Sequence, residues 1–109
     1  DMSIVEEYPY LIGENEYLIP AAQCHRDSLC ARTRRRGDVF IPAGGKRKKV
    51  KKYLNDMKIP RVSRDNLIMI ADNNRIWAIV DVSEGEGVNE PGQGPYIRIK
   101  VFSNEVEKE

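Results

Sequence analysis

NLIMIADNNRIWAIVD, residues 66–81, decides the fold. Two apolar runs, 66–71 and 75–81, flank Asp72-Asn73-Asn74. Such runs on either side of an Asp/Asn cluster predict a β-hairpin, here with a three-residue loop. Both strands are nearly continuous in apolar residues. A hairpin of that kind belongs at the centre of a sheet, with both faces covered.

The cover has to come from the flanks. In KRKKVKKYLNDMKIPR (46–61), Val50, Tyr53, Leu54 and Met57 stand at i, i+3, i+4 and i+7 and form one apolar stripe. At about 100° per residue, Lys48, Lys52 and Asn55 fall opposite, with Lys49 and Lys51 on the flanks. Pro60 ends the helix, and Lys58 sits where the dipole favours a cation. Upstream, LCARTRRR (29–36) alternates Leu29, Ala31 and Thr33 with Cys30, Arg32 and Arg34, the period of a strand with one basic face. Gly37-Asp38 is a turn, Val39-Phe40-Ile41 is apolar again, and 42–45 is a breaker-rich loop.

Downstream, SEGEGVNEPGQG (83–94) is an acidic glycine-rich loop, and PYIRIKVF (95–102) alternates as a half-exposed strand. NEYLIP (15–20) reads as a short strand. Val5, Tyr8 and Leu11 share a helical spacing that Pro9 argues against, so 1–31 reads as a linker or edge segment. The domain core is placed at 32–102, with 103–109 as a frayed tail. The expected fold class is α+β: a small mixed domain with a β-sheet/hairpin core and one main amphipathic basic helix.

Charge is distributed unevenly. Residues 32–64 hold 13 basic side chains against Asp38 and Asp56, a net charge of +11, while the rest of the chain carries −10. Such asymmetry fits a polyanion-binding face on an otherwise acidic protein. Lysines crowded on one short helix repel one another, so local stability does not account for them. Arginine forks suit phosphates, and double-helical RNA is read through shape and backbone. Aromatics near the patch are few, which disfavours base stacking. The other reading is a basic protein-interaction module docking on an acidic surface, through interdomain contact or weak self-association.

Other chemistry finds little support. One histidine with the C-x5-C spacing of Cys24 and Cys30 matches no zinc or redox motif, so no metal and no disulfide are expected. PAGGKRKK lacks the G-x-x-x-x-G-K-[ST] pattern of a nucleotide loop. No nucleophile–base pair is readable, so no catalytic residue is assigned. Asp38 and Asp65 sit beside arginines and read as loop-fixing ion-pair partners. No apolar run reaches the roughly 20 residues of a membrane span, and residues 1–10 lack the pattern of a signal peptide. Asp1 followed by Met2 reads as a piece of a longer protein.

These residues carry a resemblance. Arg34-Arg35-x-Gly37-Asp38, Phe40, Pro42, Lys48-Lys49-x-Lys51, Lys58-Ile59-Pro60-Arg61 and Arg64-Asp65 follow the order found in bacterial tRNA(Ile)-lysidine synthases, the cell-cycle protein MesJ family. Trp77 falls where that family's second hairpin strand runs. The chain departs from the pattern at Val39 (usually basic), Lys52 (usually acidic) and Ile68 (usually proline). The resemblance covers about 32–81 and is to the family's C-terminal domain, a relative of one in the β subunit of phenylalanyl-tRNA synthetase.

The resemblance implies a cytoplasmic parent ligase that adenylates the wobble cytidine of isoleucine tRNA with ATP and lets lysine displace AMP. The ATP site belongs to an N-terminal PP-loop domain, which would be this segment's partner. No cofactor is implied for the segment itself. Its implied task is to grip the tRNA acceptor-stem region. The candidate RNA-binding residues are Arg34, Arg35, Arg36, Lys48, Lys49, Lys51, Lys52, Arg61 and Arg64.

Overall fold

The computed structural model describes residues 2–6, 8–9, 12–92 and 94–102. The tail assigned to 103–109, and Leu11, lie outside them. Among the described residues, nine strands form two sheets. In the smaller sheet, β9 (Tyr96–Lys100) runs antiparallel between β1 (Met2–Val5) and β2 (Glu16–Pro20). The larger has the order β3 (Leu29–Arg32), β6 (Met69–Asp72), β7 (Arg75–Ile79), β4 (Val39–Phe40), β5 (Lys48–Lys49), with β8 (Ser83–Glu84) also on β7. Among the described residues, the α-helices are α1 (Val50–Asp56) and α2 (Arg61–Arg64), and short 3-10 turns stand at Ala21–Gln23 and Arg26–Ser28. None is long and apolar enough to cross a membrane.

The hairpin is central, as its composition requires. One face of β6–β7 packs on the small sheet through Ile70, Trp77 and Ala78 against Tyr17, Ile19, Ile97 and Ile99. The other packs on α1 through Met69, Ala71, Ile76 and Ile79 against Val50, Tyr53 and Leu54. The larger sheet is therefore the middle layer of three. A β-bulge makes this possible. Ile70 faces Ala78 and Ala71 faces Ile76, which leaves Trp77 as the extra residue. Trp77 and Ala78 consequently point to the same side. The core also reaches upstream of residue 32, since Tyr17, Ile19 and Leu29 are buried within it.

Local chemistry shifts several boundaries. The hairpin loop has two residues, because Asp72 and Arg75 still face each other across the ladder. Asn73 adopts φ 53°, a conformation asparagine tolerates. The strand expected over 29–36 stops at Arg32. Beyond it, the Arg35 N–H turns to the Asp38 carboxylate (2.6 Å), and Gly37 at φ 89° completes the turn. Lys48 and Lys49 are not helical. They form β5 against β4, and the Val50 N–H then donates to the Asp38 carbonyl (3.0 Å).

At the other end, Met57 lies past the helix and is 49% exposed, so it does not join the stripe. Lys58 is left-handed (φ 57°). Lys58 N–H donates to Asn55 O and Ile59 N–H to Leu54 O, both at 3.0 Å, the pattern of a Schellman motif. Ile59 supplies the apolar contact in place of Met57.

Two loop residues fix the periphery. Asn89 closes the outer rim of β2. Its Oδ1 accepts from Leu18 N–H (2.7 Å), its N–H donates to Leu18 O (3.0 Å) and its Nδ2 to Glu16 O (3.2 Å). Gly85 donates to Trp77 O at 2.7 Å, and a Cβ added there would stand 2.5 Å from that same oxygen. Gly85→Ala is therefore expected to cost about 1–3 kcal/mol through backbone displacement at the bulge. Urea unfolding measures it, and an unchanged midpoint would contradict the close approach.

Candidate nucleic-acid interface

The site is built outward from Asp38. Its side chain is 1% exposed and accepts both Arg32 guanidinium nitrogens, Nη1 at 2.9 Å and Nη2 at 2.8 Å, besides Arg35 N–H. Arg32 also donates to the carbonyls of Thr33 (2.9 Å) and Asn73 (2.7 Å). The hydrogen bonds it donates to Asp38 hold the Arg32 guanidinium pKa above its ordinary value. Arg32 is thus committed inward, to fastening the 33–37 loop onto the hairpin turn.

The fastened loop presents Arg34, Arg35 and Arg36. Together with Lys49 at the end of β5 and Lys51 at the start of α1, they line a groove of about 560 Å³. Asp38 and Asp65 line it as well. Asp38 is neutralised by Arg32. Asp65 is 82% exposed, and one of its oxygens accepts Arg34 Nη2 at 3.1 Å and Nε at 3.2 Å. The groove gathers cations from two segments that lie apart in sequence, on a rigid base made by β4, β5 and the hairpin turn. Chemically it can hold several anionic oxygens at once.

Not every candidate residue reaches it. Lys48 pairs with Asp56 at 3.3 Å, and its ammonium lies 5.9 Å from the Tyr53 ring centroid. Alternation along the two-residue strand separates it from Lys49. Lys52 and Arg61 are exposed but do not line the groove. Arg64 is buried. Its Nη1 donates to Asn55 Oδ1 (2.6 Å) and its Nε to Ile59 O (2.8 Å), tying α2 to the end of α1. Arg64→Ala should therefore lower stability by about 1–3 kcal/mol, as the two part-buried bonds that tie α2 to the end of α1 are lost. RNA affinity of the folded variant should stay within twofold of the parent's. Thermal unfolding beside a binding titration separates the two effects.

Sequence reasoning placed Asp38 and Asp65 beside arginines but could not assign the pairs. The cysteines Cys24 and Cys30 are free thiols. Among the described residues, no three metal-ligating side chains stand together.

Comparisons with known proteins agree with this architecture. The model of the TilS substrate C-terminal domain matches residues 29–101. The tRNA(Ile)-lysidine synthase of Persephonella marina (strain DSM 14350 / EX-H1) is 33% identical over 76 residues, 58% of this chain. The match spans only 17% of that protein's length. A crystal structure of a TilS C-terminal domain superposes with a TM-score of 0.62 at 30% identity, covering 89% of this chain and 77% of the other. A mixed α+β domain with the large sheet between a helix and a smaller sheet, matched over most of its length, belongs to the TilS substrate C-terminal domain family.

Proposed function

We propose that this domain is the tRNA-binding part of a tRNA(Ile)-lysidine synthase, holding the acceptor-stem region while a separate catalytic domain modifies the wobble cytidine at the expense of ATP. The observation that carries the reading is the convergence of Arg34, Arg35, Arg36, Lys49 and Lys51 on one groove. Five cations in one concavity suit a run of phosphates on a rigid duplex. The groove is lined by no aromatic side chain, which favours the backbone of a stem over stacked single-stranded bases. Lys52 and Arg61 lie outside the groove and would meet phosphates further along the stem.

The test is a titration of isoleucine tRNA across salt concentrations. Log affinity should fall linearly with log salt, with a slope of about −0.7 to −0.9 per phosphate held. A salt-independent affinity, or none at low salt, would overturn the reading. Sedimentation without RNA tests the rival: salt-sensitive self-association would favour docking on an acidic protein surface.

A further inference from the structure

We infer that Asp65 is an intramolecular stand-in for one RNA phosphate, occupying the Arg34 fork in the free protein and leaving it when a stem binds. The inference rests on the tRNA-binding reading above and assigns to Asp65 a specificity-determining role within that groove.

The two carboxylates of the groove are built differently. Asp38 is buried, and both its oxygens are taken by Arg32, so it cannot leave without dismantling the loop. Asp65 is 82% exposed and uses a single oxygen on Arg34, whose side chain is 29% exposed. Asp65 sits just past α2, and its side chain enters no other hydrogen bond found among the described residues. An exposed pair of this kind is weakly held. A carboxylate on a guanidinium also has the geometry of a phosphate on the same group.

Once displaced, Asp65 stands beside the incoming phosphates with the same sign of charge. It therefore opposes every ligand of the groove, and a ligand with several phosphates overcomes it where a single phosphate does not. The groove is thereby biased against isolated anions and toward a continuous backbone.

The test compares Asp65→Asn with the parent protein in tRNA titrations at several salt concentrations, with thermal unfolding run alongside. The variant should bind about threefold to tenfold tighter near 0.1 M salt. Its salt slope should steepen by about 0.9, since one more cation is released without recapture by the freed carboxylate. Its affinity for inorganic phosphate should rise too. In an Arg34→Ala background the same substitution should gain less than half as much on a logarithmic scale.

Unchanged or weaker binding by folded Asp65→Asn would overturn the inference while leaving tRNA binding standing. So would an equal gain in the Arg34→Ala background. Failure of both proteins to bind tRNA at low salt would overturn the tRNA reading and this inference with it. If Asp65→Asn does not fold, Asp65→Ser is held to the same outcomes.

Discussion

Asp38→Ala is expected to destabilise the domain by about 3–5 kcal/mol, the usual loss when one partner of a buried ion pair is removed. Three bonds to one carboxylate disappear together: two from Arg32 and one from Arg35 N–H. Arg32, with a side chain only 10% exposed, is left charged without its counter-ion. The melting temperature should fall by more than about 10 °C for a domain of this size. Replacing both partners, Arg32→Met with Asp38→Leu, should restore part of that loss, because no uncompensated charge stays buried. Calorimetry on the single and double variants decides the matter. A single variant within about 1 kcal/mol of the parent would mean that Asp38 does not organise the loop.

The second large effect concerns binding. Changing Arg35, Arg36, Lys49 and Lys51 together to alanine should weaken tRNA binding at least a hundredfold near 0.1 M salt and flatten the salt slope by roughly 3. All four are exposed, so the fold should stay within about 1 kcal/mol of the parent. Lys48→Ala is the informative control. Its ammonium is taken up by Asp56 and the Tyr53 ring, and its removal should change affinity less than threefold. Equal losses from Lys48→Ala and from Lys49→Ala would contradict the groove as the binding surface.

Periodicity made the centre of the molecule legible. The continuous apolar runs around Asn73 gave the hairpin, and Val50, Tyr53 and Leu54 gave the helix that covers it. Its exact ends were not legible, because the first is set by bonds to the distant 38–40 segment and the last by the left-handed turn at Lys58. Nothing near Lys48 and Lys49 in sequence announces a two-residue strand, since its partner Val39-Phe40 supplies the reason. Met57 has the right spacing, yet the left-handed Lys58 turns the chain before it can pack.

The candidate site was legible as charge and not as geometry. Arg32, Arg34 and Arg64 are alike in composition. In the fold one is locked on Asp38, one is loosely held by Asp65 and one is buried at the end of α2, bonded back to the end of α1. Sequence gives the sign of such residues, while their availability depends on which carboxylates and carbonyls the fold brings near.

Asn89 has a consequence for how copies of this chain meet. The rim of a sheet is a template on which a neighbouring strand can pair, and aggregation often starts there. On β2 that rim is spoken for by one amide side chain and its own backbone, which occupy Leu18 N–H, Leu18 O and Glu16 O. The loop carrying Asn89 is rich in glutamate, so a second acidic rim approaching it is also repelled. A protein with a net charge of +11 over residues 32–64 and −10 over the rest of the chain invites attraction between copies. Along β2, a copy drawn in this way would find no ladder left to extend.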